Sequence, residues 1–274
     1  MYTLLGDESN RTSIDGEFFI YGGLVLETSK LGELSEGVAR LRTEHQLPPG
    51  HPLKFSLSTL PEGWEKQQFH DLRSDVLRLA TELGAKMIVY AVLHNVARTK
   101  SAEEVQRMGM NSILNRYLTF LEKKQSWGLA MLDQDNLIFK NIREIHRDGL
   151  IVDGKNINLG PQIASVLAFD ANGSHLATVA DLAVGAFRYC VNSLPKVGGE
   201  ASISKMVASI HWYNELRNIL PTVGGTVIDF SSPNVMFRPI EVNYHNYKVR
   251  YSELERHLND LARNSNAKLL PTTQ

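Results

Sequence analysis

Three aspartates stand at the ends of apolar runs that are far apart along the chain: Asp7 in TLLGDES, Asp133 in LAMLDQD and Asp181 in ATVADLAVGA. Apolar runs specify buried elements, and an ionised carboxylate at the edge of such an element is costly unless something neutralises it. Gathered into one cleft, such charges about 4 Å apart repel by roughly 4 kcal/mol per pair at an effective dielectric of about 20. A hard divalent cation, Mg²⁺ or Mn²⁺, relieves that repulsion because it prefers carboxylate oxygen. The chemistry this implies is metal-dependent phosphoryl transfer, with a nuclease as the leading reading.

Side-chain periodicity says which of these groups can meet. In the first segment Leu5 and Asp7 share one strand face and Leu4 and Glu8 the other. In GLAMLDQD, Leu129, Met131, Asp133 and Asp135 share a face, so Asp133 and Asp135 can point where Asp7 points if the two strands are neighbours. On a helix, Asp181, Gly185 and Arg188 fall at i, i+4 and i+7, opposite Leu176, Val179, Ala180, Ala183 and Phe187. Asp181 is thereby placed off the core face, and Gly185 leaves room for a close approach.

Strand patterns cover 2–9 and 17–27, separated by the turn-rich stretch 10–16, and read as a hairpin. Helical spacing follows over 31–46, stopped by Pro48, Pro49 and Gly50. A short strand is expected at LKFS and an amphipathic helix over 64–83, with Gly84 at its end. The strongest strand is 85–95. A helix over 101–125, the strand WGLAMLDQD, a helix over 137–148, the strand IASVLAFD and a helix over 175–192 capped by Ser174 complete the series. This alternation specifies an α/β fold: a three-layer mixed sheet with helices on both faces. Residues 1–192 form the core. After it the pattern changes, and 193–274 reads as a C-terminal appendage: a helix over 201–218, a short strand in GGTVIDF, an irregular 234–250 and a charged helix over 251–264.

The chain has 274 residues, 43% of them hydrophobic and 22% charged, enough for a large core without disulfides. The single cysteine, Cys190, fits a reducing compartment and a buried packing role. The first residues carry Asp7 and Glu8 in place of a basic leader, and no run reaches the length of a membrane span, so a cytoplasmic protein is expected. A net charge of −1 is not that of a tight, nonspecific nucleic-acid binder, so substrate contact must come from a local basic stripe. Lys140, Arg143 and Arg147 lie at i, i+3 and i+7 after Asp133, and Arg188 lies on the Asp181 face; each is a candidate phosphate contact, and a solvated helix face explains the first three equally well.

The segments GDES, LKFS, LDQD and FDANGSHLATVADLAVGAFR resemble, in order and over about residues 4–192, the motifs of the domain-of-unknown-function family numbered 3800. The resemblance implies a ribonuclease H-like fold and nuclease activity. It would place metal-binding acids at Asp7, Asp133 and Asp181, with Glu8, Lys54 and Asp170 near the site. The chain departs from the family pattern where Asn10 replaces a glycine, Pro52 an acid and Thr178 a glutamine, which leaves the acids intact and alters the substrate loop. With two Mg²⁺ or Mn²⁺ ions about 4 Å apart, Asp7 would bridge both. Asp133 and Asp181 would hold one each, Asp170 or Glu8 would complete a shell, and Lys54 would neutralise charge on phosphorus. An exposed strand lysine is an equally good account of Lys54.

Other chemistries lack their signatures. The nine histidines show no HExxH spacing, and there is no Walker motif, GxGxxG turn or GxSxG elbow. Among the histidines, only His175, close in sequence to Asp170 and Asp181, draws notice. Two alternatives stay open: a Mg²⁺-dependent phosphatase or phosphotransferase built on Asp133-Gln134-Asp135, and a non-catalytic ribonuclease H-like subunit that binds a protein partner.

Overall fold

β1 (Tyr2–Ser9) and β2 (Phe18–Glu27) pair antiparallel from Tyr2↔Glu27 to Ser9↔Ile20, the hairpin anticipated from their apolar, β-branched and aromatic runs. The computed structural model describes residues 1–9, 17–97, 100–134, 138–152, 154–170, 173–196, 199–200, 202–220, 222–223, 227–228, 235–237 and 245–267. The turn at 10–16, Asn10 included, and Asp135 lie outside the described residues.

The order continues with α1 (Leu31–Glu44), α2 (Lys66–Glu82), β3 (Lys86–Leu93), α3 (His94–Ala97), α4 (Ala102–Lys123), β4 (Gly128–Asp133) and α5 (Ile138–Asp148). Then come β5 (Leu150–Val152), β6 (Lys155–Ile157), β7 (Ile163–Phe169), α6 (His175–Asn192), α7 (Ile203–Leu216), β8 (Thr222–Val223), β9 (Val227–Ile228), β10 (Val235–Phe237) and α8 (His245–Ala267). Six strands form the main sheet in the order β10-β3-β2-β1-β4-β7, with β2 running against the other five. The fold is therefore α/β with a mixed sheet.

Helices cover both faces. α6 lies across β1 and β2, with α1, α2 and α7 packed on it, while α4 covers β2 and β3 on the other side. The ion pairs Lys140–Glu103 and Arg107–Glu144 tie α5 alongside α4. Local chemistry sets the helix starts: the Ser174 hydroxyl accepts from the N–H groups of Leu176 and Ala177 at 3.2 and 3.4 Å, and Ser101 and Glu104 cap α4 reciprocally. Gly84 ends the α2 turn with a φ of 83°, which a side chain would strain.

Two expectations are corrected. LKFS is not a strand: residues 53–56 carry no ladder, and the segment crosses α6 as a loop held by side chains. The stretch 234–250 is not wholly irregular, since β10 adds to the sheet edge beside β3 and α8 begins at His245. Beyond residue 192, Trp212, Tyr213, Leu216, Leu254, Leu258 and Leu261 join the same buried cluster as β1, β2 and α6. The Leu93 N–H donates to the Tyr251 hydroxyl at 3.0 Å. Among the described residues, no helix is long and apolar enough to cross a membrane.

Candidate functional site

Strand register brings two of the acids side by side. β1 and β4 run parallel and pair up to Gly6↔Leu132, so Asp7 and Asp133 occupy the next step on adjacent strands. Adjacent strands lie about 4.8 Å apart, and registered partners face the same way. The face follows from Asp7↔Gly22: a Cβ on Gly22 would meet Val184 of α6 at 3.5 Å. Asp7 and Asp133 therefore share the α6 side of the sheet. Asp7 is 8% exposed and Asp133 half-buried. Each carboxylate accepts from the following N–H: Asp7 Oδ1 from Glu8 at 2.7 Å and Asp133 Oδ1 from Gln134 at 2.9 Å.

α6 supplies Asp181 on that same side. Nearly every residue of α6 from Ala177 to Phe187 is buried, Asp181 excepted, so the carboxylate is not on an open helix face. The loop that carries Lys54 and Phe55 roofs it. The Phe55 N–H donates to Asp181 Oδ2 at 2.6 Å, and a Cβ on Gly185 would stand 2.4 Å from the Phe55 side chain. Gly185 is there because the roof needs that space. Burial pushes the Asp181 carboxyl above its ordinary range, and the charge of Asp133 pushes the same way. The Phe55 N–H, Lys54 and Arg188 oppose this without cancelling it. Asp133, Lys54 and Arg188 thus all act electrostatically on Asp181.

Arg73 holds the roof from behind. Its guanidinium donates to the carbonyls of Phe55 and Phe69 and sits 4.7, 5.2 and 5.4 Å from the ring centres of Phe69, Trp212 and Phe55. Burial lowers its pKa to about 10, with Asp181 working in the opposite direction. Phe55 is therefore fixed at both main-chain polar groups, its carbonyl by Arg73 and its N–H by Asp181.

No protein-family model and no curated protein matches the chain.

The remaining candidates divide by position. Asp170 follows β7 directly, one residue past the pair Asp133↔Phe169, and is exposed at the sheet edge. Glu8 lies on the opposite side of the sheet from Asp7. Its partner is Tyr21, whose side chain is what a Cβ on Gly109 of α4 would meet at 2.9–3.1 Å. Lys140, Arg143 and Arg147 are exposed on α5 in the α4 layer. Lys140 pairs with Glu103, Arg147 with Asp148 at 2.6 Å, and the Arg143 side chain donates to the Phe139 carbonyl at 3.2 Å. The fold does not carry that stripe to Asp181. His175 stands near Arg42 of α1, and burial, then Arg42, lowers its pKa.

The donor chemistry of Asp7, Asp133 and Asp181 fits a hard cation: all oxygen, with Asp181 held above its normal range partly by a like charge. Among the described residues, however, no three His, Cys, Asp or Glu side chains are grouped closely enough to hold an ion. The elements converge, and the carboxylates are not closed onto one point. Sequence reasoning missed Arg73 and the Phe55 N–H. The available signal for the first was a charged residue set among Phe69, Leu72 and Val76 on an apolar helix face. A main-chain donor leaves no signal in sequence.

Proposed function

We propose that this protein is a metal-dependent phosphodiester hydrolase, a nuclease of ribonuclease H-like architecture, acting with Mg²⁺ or Mn²⁺ on nucleic acid. The observation that carries the reading is the placing of Asp7, Asp133 and Asp181 on one side of one sheet by β1, β4 and α6, with Asp133 and Asp181 electrostatically coupled. The opening hairpin, the parallel pairing of β1, β4 and β7 and the helices on both faces support the ribonuclease H-like assignment, as does the resemblance of the four motifs to family 3800. The surface is open to a polymer: α6 covers β1 and β2, whereas Met131 on β4 is half-buried and Leu167 on β7 is 43% exposed.

In this reading Asp7, Asp133 and Asp181 would hold the metal, with Asp170 at the sheet edge able to extend the set. Bound there, a divalent ion supplies Lewis-acid activation of water and stabilisation of the leaving oxygen. Lys54 places a cation beside Asp181, where negative charge builds on a transferring phosphoryl group. Phe55, itself held by Arg73, fixes the Asp181 carboxylate. A cytoplasmic setting belongs to the same proposal, supported by the lone, buried Cys190.

A non-catalytic, partner-binding subunit is the second reading. It is favoured by the lack of a closed group of three ligating side chains among the described residues. Purified protein incubated with labelled single-stranded and duplex DNA and RNA in Mg²⁺ or Mn²⁺ separates the two. Asp7→Asn and Asp181→Asn are expected to abolish cleavage while leaving the circular dichroism spectrum unchanged. Cleavage at parental rate by both variants would overturn the assignment.

A further inference from the structure

Beyond Arg188, toward the far end of α6, lies a pocket of about 150 Å³ lined by Glu17, Arg188, Tyr189, Asn192, Ser193 and Lys205. Two of its polar groups are already committed to the fold. The Asn192 amide accepts from the Phe18 N–H at 2.8 Å and donates to the Phe18 carbonyl at 3.1 Å. The Ser193 hydroxyl donates to the Cys190 carbonyl at 2.8 Å and meets His257 Nε2 at 2.9 Å. Arg188 differs: its Nε is buried and has no hydrogen-bond partner among the described residues. A permanent cation with an unsatisfied, desolvated N–H is a costly arrangement that an incoming oxyanion relieves. Lys205, in the first turn of α7, brings an exposed ammonium to the same pocket. Burial raises the Tyr189 phenol, which keeps it protonated as a donor. Two cations against the single carboxylate of Glu17 leave the lining net positive.

The pocket is joined to the acids on two sides. Arg188 is close enough to lower the Asp181 carboxyl. Tyr189 meets the ring of Phe55, the residue that roofs Asp181, with 6.3 Å between centres. Seven residues at about 1.5 Å each separate Asp181 from Arg188 by roughly 10 Å along the helix. That distance is within reach of neighbouring phosphates on one backbone strand.

We propose that the Arg188–Lys205 pocket binds a backbone phosphate of the nucleic acid, a near neighbour along the strand of the phosphate presented to Asp7, Asp133 and Asp181. The identity of the ligand rests on the hydrolase reading, whereas the presence of an anion site does not. The site sets the register of the strand: the Arg188 guanidinium and the Lys205 ammonium supply the positive charge, and neither reads a base.

The test uses the full chain carrying Asp181→Asn, in EDTA, so that cleavage and metal binding play no part. A fluorescein-labelled single-stranded oligonucleotide is titrated at several salt concentrations, and inorganic phosphate is titrated as a competitor. Lys205→Met, at an exposed position, and Arg188→Gln, checked by its melting curve, are each expected to raise Kd about tenfold, the worth of one charge-assisted hydrogen bond. Each should also make the salt dependence shallower by about one phosphate contact. Phosphate should compete in the parent and lose that effect in the variants. Unchanged Kd and salt slope in both variants would overturn the proposal. So would phosphate binding that depends on Arg188 and Lys205 while oligonucleotide binding does not, because the pocket would then serve a free anion. Failure of the hydrolase reading looks different: the unsubstituted chain cleaves nothing with any metal, yet Lys205→Met still weakens oligonucleotide binding.

Discussion

At the scale of single residues, the Asp181 corner depends on a glycine. Gly185→Ala sets two effects against each other: alanine is the better helix former by about 1 kcal/mol, while overpacking costs about 1–3 kcal/mol. The clash should win, because Phe55 is tethered at its carbonyl by Arg73 and at its N–H by Asp181 and cannot yield without breaking one of them. The expected outcome is a net loss of about 1 kcal/mol in urea denaturation, together with weakened metal-dependent cleavage. A variant as stable and as active as the parent would show that the loop moves freely. Part of this corner was legible in advance: the spacing of Asp181, Gly185 and Arg188 put all three on one helix face and anticipated a close approach at Gly185. What approaches was not legible, since the contact joins residues 126 apart and is made by a main-chain N–H.

At the scale of elements, α2 and α7 meet through two neutral histidines. The rings of His70 and His211 lie 4.1 Å apart, with Trp212 4.4 Å from His70. His211 Nε2 is 3.0 Å from the Ser74 hydroxyl and 3.9 Å from Glu215. Burial lowers the pKa of His211 to about 4, helped by the neighbouring His70, Arg78 and Arg73 and opposed by Asp71. His70 is lowered by burial and then by Arg73. A histidine depressed below its unfolded value of 6.5 contributes its full stability above that pH and loses it on acidification. The melting temperature should therefore fall between about pH 6.5 and 4, and His211→Gln should flatten that fall. An equally steep fall in the variant would assign the acid sensitivity elsewhere. Helix boundaries were readable from apolar spacing and from caps such as Ser174, whereas this interface was not, because neither histidine has a sequence neighbour that reveals its partner. The basic stripe of α5 makes the same point in reverse. Lys140, Arg143 and Arg147 share a helix face in sequence, and the fold places that face in the α4 layer, paired to Glu103 and Asp148.

At the scale of the whole molecule, the segment after residue 192 and the sheet share one apolar core. Trp212, Tyr213 and Leu216 of α7 and Leu254, Leu258 and Leu261 of α8 are buried with Phe187 and Val191 of α6, and β10 lengthens the sheet. A chain whose only tryptophan is Trp212, made by Trp64→Phe and Trp127→Phe, should lose its fluorescence signal at the same temperature at which the circular dichroism of the sheet and helices collapses. Two separated transitions would mean that α7 and α8 unfold on their own.

The α/β alternation and the placing of the acids on β1, β4 and α6 were determined by the sequence, because periods of two and 3.6 residues are local properties. Which face each element turns toward its neighbour was decided only by tertiary structure. Register set Asp7 beside Asp133, and α6 laid Asp181 over the same side of the sheet. The loop at Phe55, invisible as a contact in the one-dimensional pattern, closed over Asp181. Such placements depend on packing between residues far apart in the chain, and no local spacing encodes them.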